Sequence, residues 1–407
     1  MLRGEVMNLL YKFYCRAFQA VFKLAIPLLP YRDPKIVESV SELPAVFIEK
    51  GIDRVLIVTD KQLESLGMTT ALKNSLAAYG IGYTVYDRTV PNPTIRNVEE
   101  ARAFYLQNRC SALIGFGGGS AIDCAKAVGA RIARPGKPIS KMHGILKVMR
   151  SLPLLVAIPT TAGTGSEVTV TTVITDADSG HKFPISDFPL IPRIAVLDAE
   201  NTKTMPLSMT STTGMDALTH AVEAYIGRST TRSTRRDAAE AVKLIFGNLE
   251  RAYLDGENTE ARANMMRASF LAGRAFSKSY VGYVHAVAHS LGGKYNIPHG
   301  LANAVLLPIG LEAYGETVHK KLHELAVAAG ISTSDETHKQ GADKLISAIK
   351  GMNERMDIPK ILKGIKKEDI PEMARHAAAE ANPLYPVPVL MDAKTLEQFY
   401  IMVSEEN

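Results

Sequence analysis

Short β-rich runs alternate with helical periodicity through the first half of this 407-residue chain, and this alternation narrows the fold more than any other feature. A helix after each strand carries the chain back, so that successive strands run parallel and helices cover the sheet. The candidate strands are residues 54–59, 82–87, 111–116, 154–159, 168–175 and 194–198. Helical patterns over residues 97–108 and 121–131 fill two of the gaps. We therefore predict an α/β fold built on a largely parallel sheet.

The β signal ends near residue 206. From there to the C-terminus the apolar residues recur at helical spacing, for example in STTGMDALTHAVEAYI and TEARANMMRASFLAGRAF. A chain of this length is also too long for one modest core. The sequence predicts three parts: an N-terminal amphipathic helical extension over residues 1–35, an α/β domain over 36–205, and an all-α helical domain over 206–407.

Composition limits the partners of such a protein. The chain has 46% apolar and 22% charged residues, as globular proteins do, and its 47 basic and 42 acidic residues are interspersed. A nucleic-acid surface is therefore not expected. Cys15, Cys110 and Cys124 are too few and too far apart for a disulfide framework or a cysteine-rich zinc site, and they fit a reducing cytoplasm. Any bound metal must take its ligands mainly from His, Asp and Glu.

The N-terminal segment over residues 7–29, MNLLYKFYCRAFQAVFKLAIPLL, combines a wide apolar helix face with a narrow polar stripe. The stripe consists of Asn8, Lys12, Arg16, Gln19 and Lys23. These charges argue against a transmembrane span, and no small-residue cleavage site follows an apolar core as in a secretory signal. Two interpretations stay open: a helix lying on anionic lipid, or a helix packing its apolar face on this protein or a partner subunit.

A glycine-rich turn in SALIGFGGGSAIDCAKAVG separates a predicted strand from a predicted helix. Gly117, Gly118 and Gly119 allow close backbone approach to a ligand, and Ser120 opens a helix whose free N–H groups can hold a phosphate. The turn is not a Walker A motif, and it departs from the dinucleotide fingerprint because Ser120 replaces the third glycine. Phosphate binding is favoured over the alternative, a tight turn without a ligand.

A second polar loop, IPTTAGTGSEVT, follows the strand at residues 154–159. It offers the hydroxyl groups of Thr160, Thr161, Thr164 and Ser166. In an open α/β sheet, ligands bind at the carboxyl ends of the strands. Two such loops after strands of one sheet therefore predict a ligand site at that edge.

Four of the chain's ten histidines and one aspartate fall in short motifs of the C-terminal half. Asp216 and His220 are four residues apart, as are His285 and His289, and His299 follows in a predicted turn or helix start. On helices this spacing places both members of a pair on one face. A carboxylate and several imidazoles are a suitable ligand set for one divalent cation. Each histidine alone would more often be a core or surface residue, and no HExxH motif is present.

These motifs together make the chain resemble the iron-containing (group III) alcohol dehydrogenase family. The matching segments are VTDK, PNPT, GGGSAID, IPTTAGTGSE, TGMDALTHAVEAY, HAVAHSLGGKYNIPHGLANAVLLP and NPLYPVPV, in the family's order. The resemblance extends from about residue 43 to residue 403, and the first 35 residues lie outside it.

The resemblance implies a Rossmann-like dinucleotide-binding domain over residues 36–205 and a helical metal-binding and substrate domain over 206–407, the architecture shared with dehydroquinate synthase. It implies that Asp216, His220, His285 and His299 bind a divalent metal, and that His289 relays a proton near the nicotinamide. The expected cofactor-side residues are Asp60, Asn92, Gly117, Gly118, Gly119, Ser120, Thr160, Thr161 and Thr164.

The activity that the resemblance implies is the interconversion of a small primary alcohol or diol and its aldehyde or ketone by hydride transfer. NAD is favoured over NADP, because the Asp60 carboxylate would accept a hydrogen bond from a ribose hydroxyl and repel a 2′-phosphate. Asp60 could also be the N-cap of the helix that follows it. The family name implies Fe²⁺, although the ligand set also suits Zn²⁺ and other divalent metals.

Two related reactions stay open as alternatives: a glycerol dehydrogenase-like oxidation of polyols, and a dehydroquinate synthase-like lyase reaction. The lyase would need basic residues around the metal to hold a phosphate-bearing substrate. The histidine segment over residues 285–300, HAVAHSLGGKYNIPHG, offers only Lys294. We expect a cytoplasmic homodimer or higher homo-oligomer, with peripheral membrane contact through residues 7–29 as a further hypothesis.

Overall fold

The computed structural model describes Met7, residues 9–178 and residues 182–405. The parts of the predicted extension and helical domain that fall on residues 1–6, 8, 406 and 407 lie outside the described residues. The chain divides into two compact units. One is Pro30–Met205, the α/β unit. The other, the helical unit, joins Pro206–Asn407 to the N-terminal segment that ends at Leu29.

Within the described residues the chain forms nine strands and fifteen α-helices. The strands are β1 (Lys35–Val37), β2 (Arg54–Val58), β3 (Gly82–Tyr86), β4 (Ala112–Gly117), β5 (Gly144–Ile145), β6 (Leu154–Pro159), β7 (Thr171–Thr175), β8 (Lys182–Ser186) and β9 (Ile194–Val196). The helices are α1 (Leu9–Ala25), α2 (Leu43–Glu49), α3 (Lys61–Ser65), α4 (Thr70–Ala78), α5 (Ile95–Gln107), α6 (Gly119–Ala133), α7 (Leu207–Ile226), α8 (Arg232–Leu254), α9 (Thr259–Ser279), α10 (Tyr283–Tyr295), α11 (His299–Tyr314), α12 (Glu316–Ala328), α13 (His338–Arg355), α14 (Ile370–Ala381) and α15 (Ala393–Val403).

The α/β unit is built on a six-stranded sheet in the order β1-β9-β6-β4-β2-β3, in which all pairs are parallel. Its central strand β4 is buried along its whole length, as an apolar strand covered on both faces should be. Helices α5 and α6 pack on one face through Val98 and Val128. Helices α2 and α4 pack on the other face through Phe47 and Leu72. The predicted fold class, a parallel α/β sheet followed by helices, is confirmed.

One candidate strand does not belong to this sheet. Residues 168–175 yield the shorter strand β7, which pairs antiparallel with β8, and β8 in turn pairs with β5 in a separate three-stranded sheet. Side chains along β7 alternate between buried and exposed, the pattern of a strand with one solvated face. Apolar and β-branched composition predicted a strand there, but only this alternation distinguishes it from the fully buried strands of the parallel sheet.

The helical unit surrounds α7, which packs against α8, α9 and α11. A second group forms where α10 packs against α11 and α14. Gly214 lies in the middle of α7, where a Cβ atom would overlap the Leu249 side chain of α8. The close approach of these two helices therefore depends on the missing side chain at this position. Since α7 also carries Asp216 and His220, this packing fixes the backbone position from which their side chains extend.

Helix α1 attaches to the helical unit mainly through hydrogen bonds of its polar residues, and the Phe22 ring adds one apolar contact with Tyr280. The Arg16 guanidinium donates hydrogen bonds to the carbonyl oxygens of Val387 (2.7 Å) and Pro388 (2.9 Å), and Gln19 Nε2 donates to Tyr385 O (2.7 Å). Those carbonyl groups belong to an irregular segment between α14 and α15, so they need donors from elsewhere in the chain. The apolar face of α1 points outward. Most of this face therefore does not pack on the chain itself, and packing on a partner subunit stays a prediction.

No helix among the described residues is both long enough and apolar enough to cross a bilayer.

We expect Gly214→Ala to destabilise the protein by about 1–3 kcal/mol, because the added methyl group forces α7 away from α8. Gly247 is the matched control: it lies in α8 with nothing within 4 Å of an added Cβ. Gly247→Ala should therefore be neutral or stabilise the helix by up to about 1 kcal/mol. Urea unfolding followed by circular dichroism measures both. Equal midpoints for the two variants would contradict the proposed contact.

Candidate metal centre

Three helices of the helical unit bring the predicted metal ligands together. Helix α7 carries Asp216 and His220 one turn apart, α10 carries His285 in its first turn, and α11 begins at His299. Each residue offers one ligand atom, and these atoms all lie within 4.8 Å of one another. Asp216, His220 and His285 are buried and His299 is half-buried. The sequence spacing predicted the pair Asp216 and His220, and the arrangement of α7, α10 and α11 brings His285 and His299 to it.

The geometry of the group leaves room for a central cation. Asp216 Oδ1 lies 3.8 Å from His285 Nε2 and 3.5 Å from His299 Nε2, and the ring centroids of His220 and His285 are 4.4 Å apart. His285 Nε2 is buried and has no hydrogen-bond partner among the described residues. A buried nitrogen without a partner is costly unless a ligand satisfies it. A divalent cation bound by these atoms would supply that partner.

Burial determines the ionisation of the group. It lowers the pKa of His285 well below the usual range, and the nearby charges of His299 and His289 lower it further. Burial also raises the pKa of Asp216, although His220 and Asn303 oppose this shift. Neutral imidazoles with available lone pairs and a carboxylate that lacks full compensation are the forms that bind a metal. The residues present therefore fit a divalent ion.

Glu223 is a member of the site that the sequence motifs did not single out. Its Oε2 lies 2.6 Å from His285 Nδ1, and its two oxygens accept hydrogen bonds from the backbone N–H groups of Gly282 (2.7 Å) and Val284 (3.0 Å). Burial raises the pKa of Glu223 to about 7, against the effect of these donors. Because the carboxylate accepts, His285 carries its proton on Nδ1 and turns Nε2 toward the other ligands. Its position, one helix turn after His220, was the available signal.

Asn303 and Phe276 complete the surroundings. Asn303 Nδ2 donates to Asp216 Oδ1 at 2.6 Å and lies 3.1 Å from His299 Nε2, and it occurs one turn after His299 on α11. The Phe276 ring stacks on His220, with centroids 4.1 Å apart. Asn303 orients the carboxylate, and Phe276 restricts rotation of the imidazole.

His289 lies beside the four-residue group and not within it. Its Nδ1 is 2.7 Å from Glu380 Oε1, and its ring stacks on His299 with centroids 5.2 Å apart. Its side chain is 40% exposed, unlike that of His285. Glu380 also accepts a hydrogen bond from the Tyr385 hydroxyl at 2.6 Å. His289 is thus positioned by a carboxylate next to the candidate ligands and remains open to solvent.

The nine predicted cofactor residues lie in the α/β unit. They occupy the ends and following loops of the neighbouring strands β2, β4 and β6, together with the segment before α5. Gly117 has φ +147°, and a Cβ there would lie only 2.8 Å from Ala121 Cβ. A side chain at this position is therefore excluded by both conformation and space.

Contacts between the loops draw these residues into one surface. A Cβ at Gly118 would lie 3.4 Å from Thr161 Cγ2, and one at Gly119 would lie 3.0 Å from Thr164 Cγ2. The amide of Thr160 donates to Gly117 O at 3.0 Å. The loop after β6 therefore packs directly against the glycine turn that precedes α6.

Asn92 and Asp60 flank this surface. The backbone N–H of Asn92 donates to Ser120 Oγ at 3.3 Å. Asp60 is the N-cap of α3, since its Oδ1 accepts a hydrogen bond from the Leu63 amide at 3.0 Å. Its other carboxylate oxygen, Oδ2, would lie 3.9 Å from a Cβ at Gly117. The capping role of Asp60 is thus observed, and one oxygen stays directed at the glycine turn.

Two ionisable groups of α6, the half-buried Asp123 and the fully buried Lys126, hold the loop after β6 in place, and the sequence motifs did not single them out. Asp123 Oδ1 accepts a hydrogen bond from Ser166 Oγ at 2.5 Å, and Lys126 Nζ donates to the carbonyl oxygens of Thr169 (2.9 Å) and Thr171 (2.8 Å). Burial lowers the pKa of Lys126 to about 8. These contacts connect the helix after the glycine turn to the loop after β6. Asp123 and Lys126 lie one turn apart, three residues and six residues after Ser120.

Comparison with known proteins identifies the family of this chain. Residues 36–199 match the family described as iron-containing alcohol dehydrogenase, and residues 210–402 match the C-terminal part of the Fe-containing alcohol dehydrogenase family. Alcohol dehydrogenase 4 of Saccharomyces cerevisiae is 38% identical over 336 residues, which cover 82% of this chain and 86% of that protein.

Solved structures agree as well. A 1,3-propanediol oxidoreductase superposes with a TM-score of 0.88 at 34% identity, over 92% of this chain and 99% of that one. A sulfoacetaldehyde reductase from Bifidobacterium kashiwanohense in complex with NAD⁺ superposes with a TM-score of 0.82 at 28% identity, over 93% of this chain and 99% of that one. This chain therefore belongs to the iron-containing alcohol dehydrogenase family.

Proposed function

We propose that this protein is a metal-dependent NAD alcohol dehydrogenase that interconverts a small primary alcohol or diol and its carbonyl compound. The observation that carries the proposal is the buried group of one carboxylate and three imidazoles, whose ligand atoms converge within 4.8 Å. Membership of an oxidoreductase family and the diol named for one structural relative support it.

In this proposal Asp216, His220, His285 and His299 hold one divalent ion, for which the family name favours Fe²⁺ and the ligand chemistry also allows Zn²⁺. The metal, when bound, would supply Lewis acidity toward the alcohol or carbonyl oxygen, and the nicotinamide would supply the hydride acceptor or donor. Glu223 keeps the His285 imidazole in the tautomer that offers Nε2.

The glycine turn and the loop after β6 would hold NAD. Free N–H groups in the first turn of α6, which follows its N-cap Gly118, suit the pyrophosphate. Thr160, Thr161 and Thr164 offer hydroxyl groups along the same surface, and Asn92 and Ser120 close its edge. The Asp60 carboxylate favours a ribose hydroxyl over a phosphate group, so NAD is proposed as the cofactor and NADP as the poorer one. A structural relative in complex with NAD⁺ supports this choice.

His289 would move the proton of the reaction. Its Nδ1 faces the Glu380 carboxylate, so Nε2 is the nitrogen that takes up a proton from the alcohol side, directly or through water. The exposed side of the ring gives that proton a route to solvent.

Oxidation of a polyol such as glycerol is the second candidate, because the same ligand set and cofactor surface serve it. The lyase alternative receives less support. Lys294, the basic residue of the histidine segment, forms an ion pair with Asp369 at 3.1 Å and a longer one with Glu372 at 3.5 Å. It is thus committed to carboxylates and is poorly placed to hold a phosphate-bearing substrate.

We also propose that the protein is cytoplasmic and associates beyond the single chain. The exposed apolar face of α1 supports such a contact, with a second copy in a homodimer or higher homo-oligomer, or with a membrane surface through residues 7–29.

The activity test is NADH formation by anaerobically purified protein with a panel of primary alcohols, diols and glycerol. Activity should disappear on chelation and return on addition of Fe²⁺ or Zn²⁺. Absence of turnover with every alcohol, and with the matching aldehydes and NADH, despite one bound metal per chain would contradict the dehydrogenase proposal.

The ligand assignment predicts that His299→Ala lowers metal affinity at least about 10–100-fold. This is the loss expected when a residue that only hydrogen-bonds to a metal ligand is removed, and loss of a ligand itself should cost no less. His338→Ala is the matched control, since His338 is likewise the first residue of a helix. Its metal content should equal that of the wild type. Elemental analysis and chelator competition measure both, and equal affinity in the two variants would remove His299 from the site.

The cofactor assignment predicts that Asp60→Asn reduces the preference for NAD over NADP about tenfold or more, because a nearby negative charge no longer repels the 2′-phosphate. Asparagine is as good an N-cap as aspartate, so α3 should persist. Asp392→Asn, at the N-cap of α15, is the control. The ratio of kcat/KM values for the two cofactors is the readout, and an unchanged ratio would exclude a ribose contact at Asp60.

A further inference from the structure

The outward surface of α1 is a continuous apolar face, called the outer face below. Its exposed members are Leu9, Leu10, Phe13, Tyr14, Ala17, Phe18, Ala20, Val21 and Leu24. Leu10, Phe13 and Leu24 are 80%, 74% and 76% exposed. Contiguous apolar surface of this kind on a folded protein marks a contact with another molecule or with lipid.

The orientation of α1 is enforced by the rest of the molecule. Arg16 and Gln19 dock the helix on the helical unit, Cys15 is buried there, and the Phe22 ring packs edge-on against Tyr280 with centroids 5.1 Å apart. A helix held by its polar side cannot turn its apolar side inward without losing these hydrogen bonds. The outer face is therefore presented permanently.

Positive charge borders the outer face. At 100° per residue, Lys12 and Lys23 lie within about 20° of each other on one edge of the helix, and both are exposed. Residues 7–29 contain no aspartate or glutamate. The apolar surface thus meets a cationic edge and no acidic one on its own helix.

Neighbouring parts of the helical unit extend this edge. Arg228 and Arg235 are exposed. Burial lowers the pKa of Lys321 to about 8, and the positive charges of Arg235, Lys23 and Arg228 nearby lower it further. Arg228 acts on Arg16 of α1 as well. Glu324 is the nearby carboxylate that opposes them at Lys321. We call Lys12, Lys23, Arg228 and Arg235 the cationic rim.

We propose that the outer face of α1 and the cationic rim bind the surface of an anionic lipid bilayer, with α1 lying in the plane of the interface. Apolar side chains enter the boundary between headgroups and acyl chains, and the rim contacts anionic headgroups. This inference develops the membrane contact proposed for residues 7–29 and is independent of the dehydrogenase reaction.

Charge argues against a second copy of the chain as the occupant. A two-fold contact through the outer face would bring the same surface of two molecules together. With the two helices antiparallel, each cationic rim would then lie beside the other, and like charges at an interface oppose association. A bilayer that contains anionic lipid avoids this repulsion, because its headgroups attract the basic side chains of the cationic rim.

The test is co-sedimentation of the full chain with vesicles of phosphatidylcholine alone or mixed with phosphatidylglycerol. We expect binding to the mixed vesicles that weakens as salt is raised, because salt screens the rim. Leu10→Ser combined with Phe13→Ser should lower partitioning by roughly tenfold or more. Arg228→Gln combined with Arg235→Gln should lower it roughly 25-fold, at about fivefold per basic residue.

Leu254→Ser is the matched control, because Leu254 is an equally exposed leucine at the end of α8. It should bind vesicles as the wild type does. Failure of the wild type to bind mixed vesicles, or equal binding of all variants, would overturn the proposal. So would an oligomer in sedimentation velocity that only the Leu10/Phe13 variant dissociates, which would assign the face to a second copy.

Alcohol oxidation measured on the same preparations separates the two proposals. Vesicle binding without any turnover would reject the dehydrogenase and keep the lipid contact. Turnover without vesicle binding would do the reverse. Unchanged turnover in the Leu10/Phe13 variant also shows that the variant is folded.

Discussion

The helical unit depends on how it accommodates two buried carboxylates on one face of α7. Asp216 and Glu223 are both almost fully buried, where an uncompensated negative charge costs several kcal/mol. Glu223 is compensated by backbone amides and by His285. Asp216 receives one neutral hydrogen bond, from Asn303, and otherwise faces imidazoles. Its burial is physically reasonable when a cation completes the group, and a cation bound there would contribute to the stability of the unit as well as to the proposed chemistry.

The same compensation explains the division of roles among the histidines. His285 is buried and held by Glu223, so its imidazole stays neutral and fixed. His289 lies one turn later on the same helix, yet it is partly exposed and paired with Glu380. Two histidines with the same spacing signal therefore differ in solvent access and in partner, which suits one to bind a metal and the other to exchange protons.

In the α/β unit the main constraint is that a ligand must be able to approach the backbone closely. Gly117 and its neighbours leave the start of α6 uncovered, and the loop after β6 fills the adjacent space with threonine side chains. Asp123 and Lys126 support that loop, and the Lys126 side chain is fully buried while Asp123 is half-buried. The glycine turn could not present its N–H groups in a constant geometry if the opposing loop were free to move.

Local sequence pattern was sufficient for five of the six strands of the parallel sheet, all but β1, for the strand-to-helix turn at Gly117 and for the spacing of Asp216 and His220. Each of these depends on residues close in the chain, whose periodicity and conformational preferences are properties of the segment itself. The resemblance to a family supplied the ligand set as a whole. Glu223, Asn303 and Glu380 were missed because their meaning lies in contacts between helices that are distant in sequence. The direction of α1 was decided in the same way. An amphipathic pattern defines two faces but not which one is buried. Here the polar face of α1 hydrogen-bonds to carbonyl groups of the irregular segment after α14, and the apolar face is left exposed.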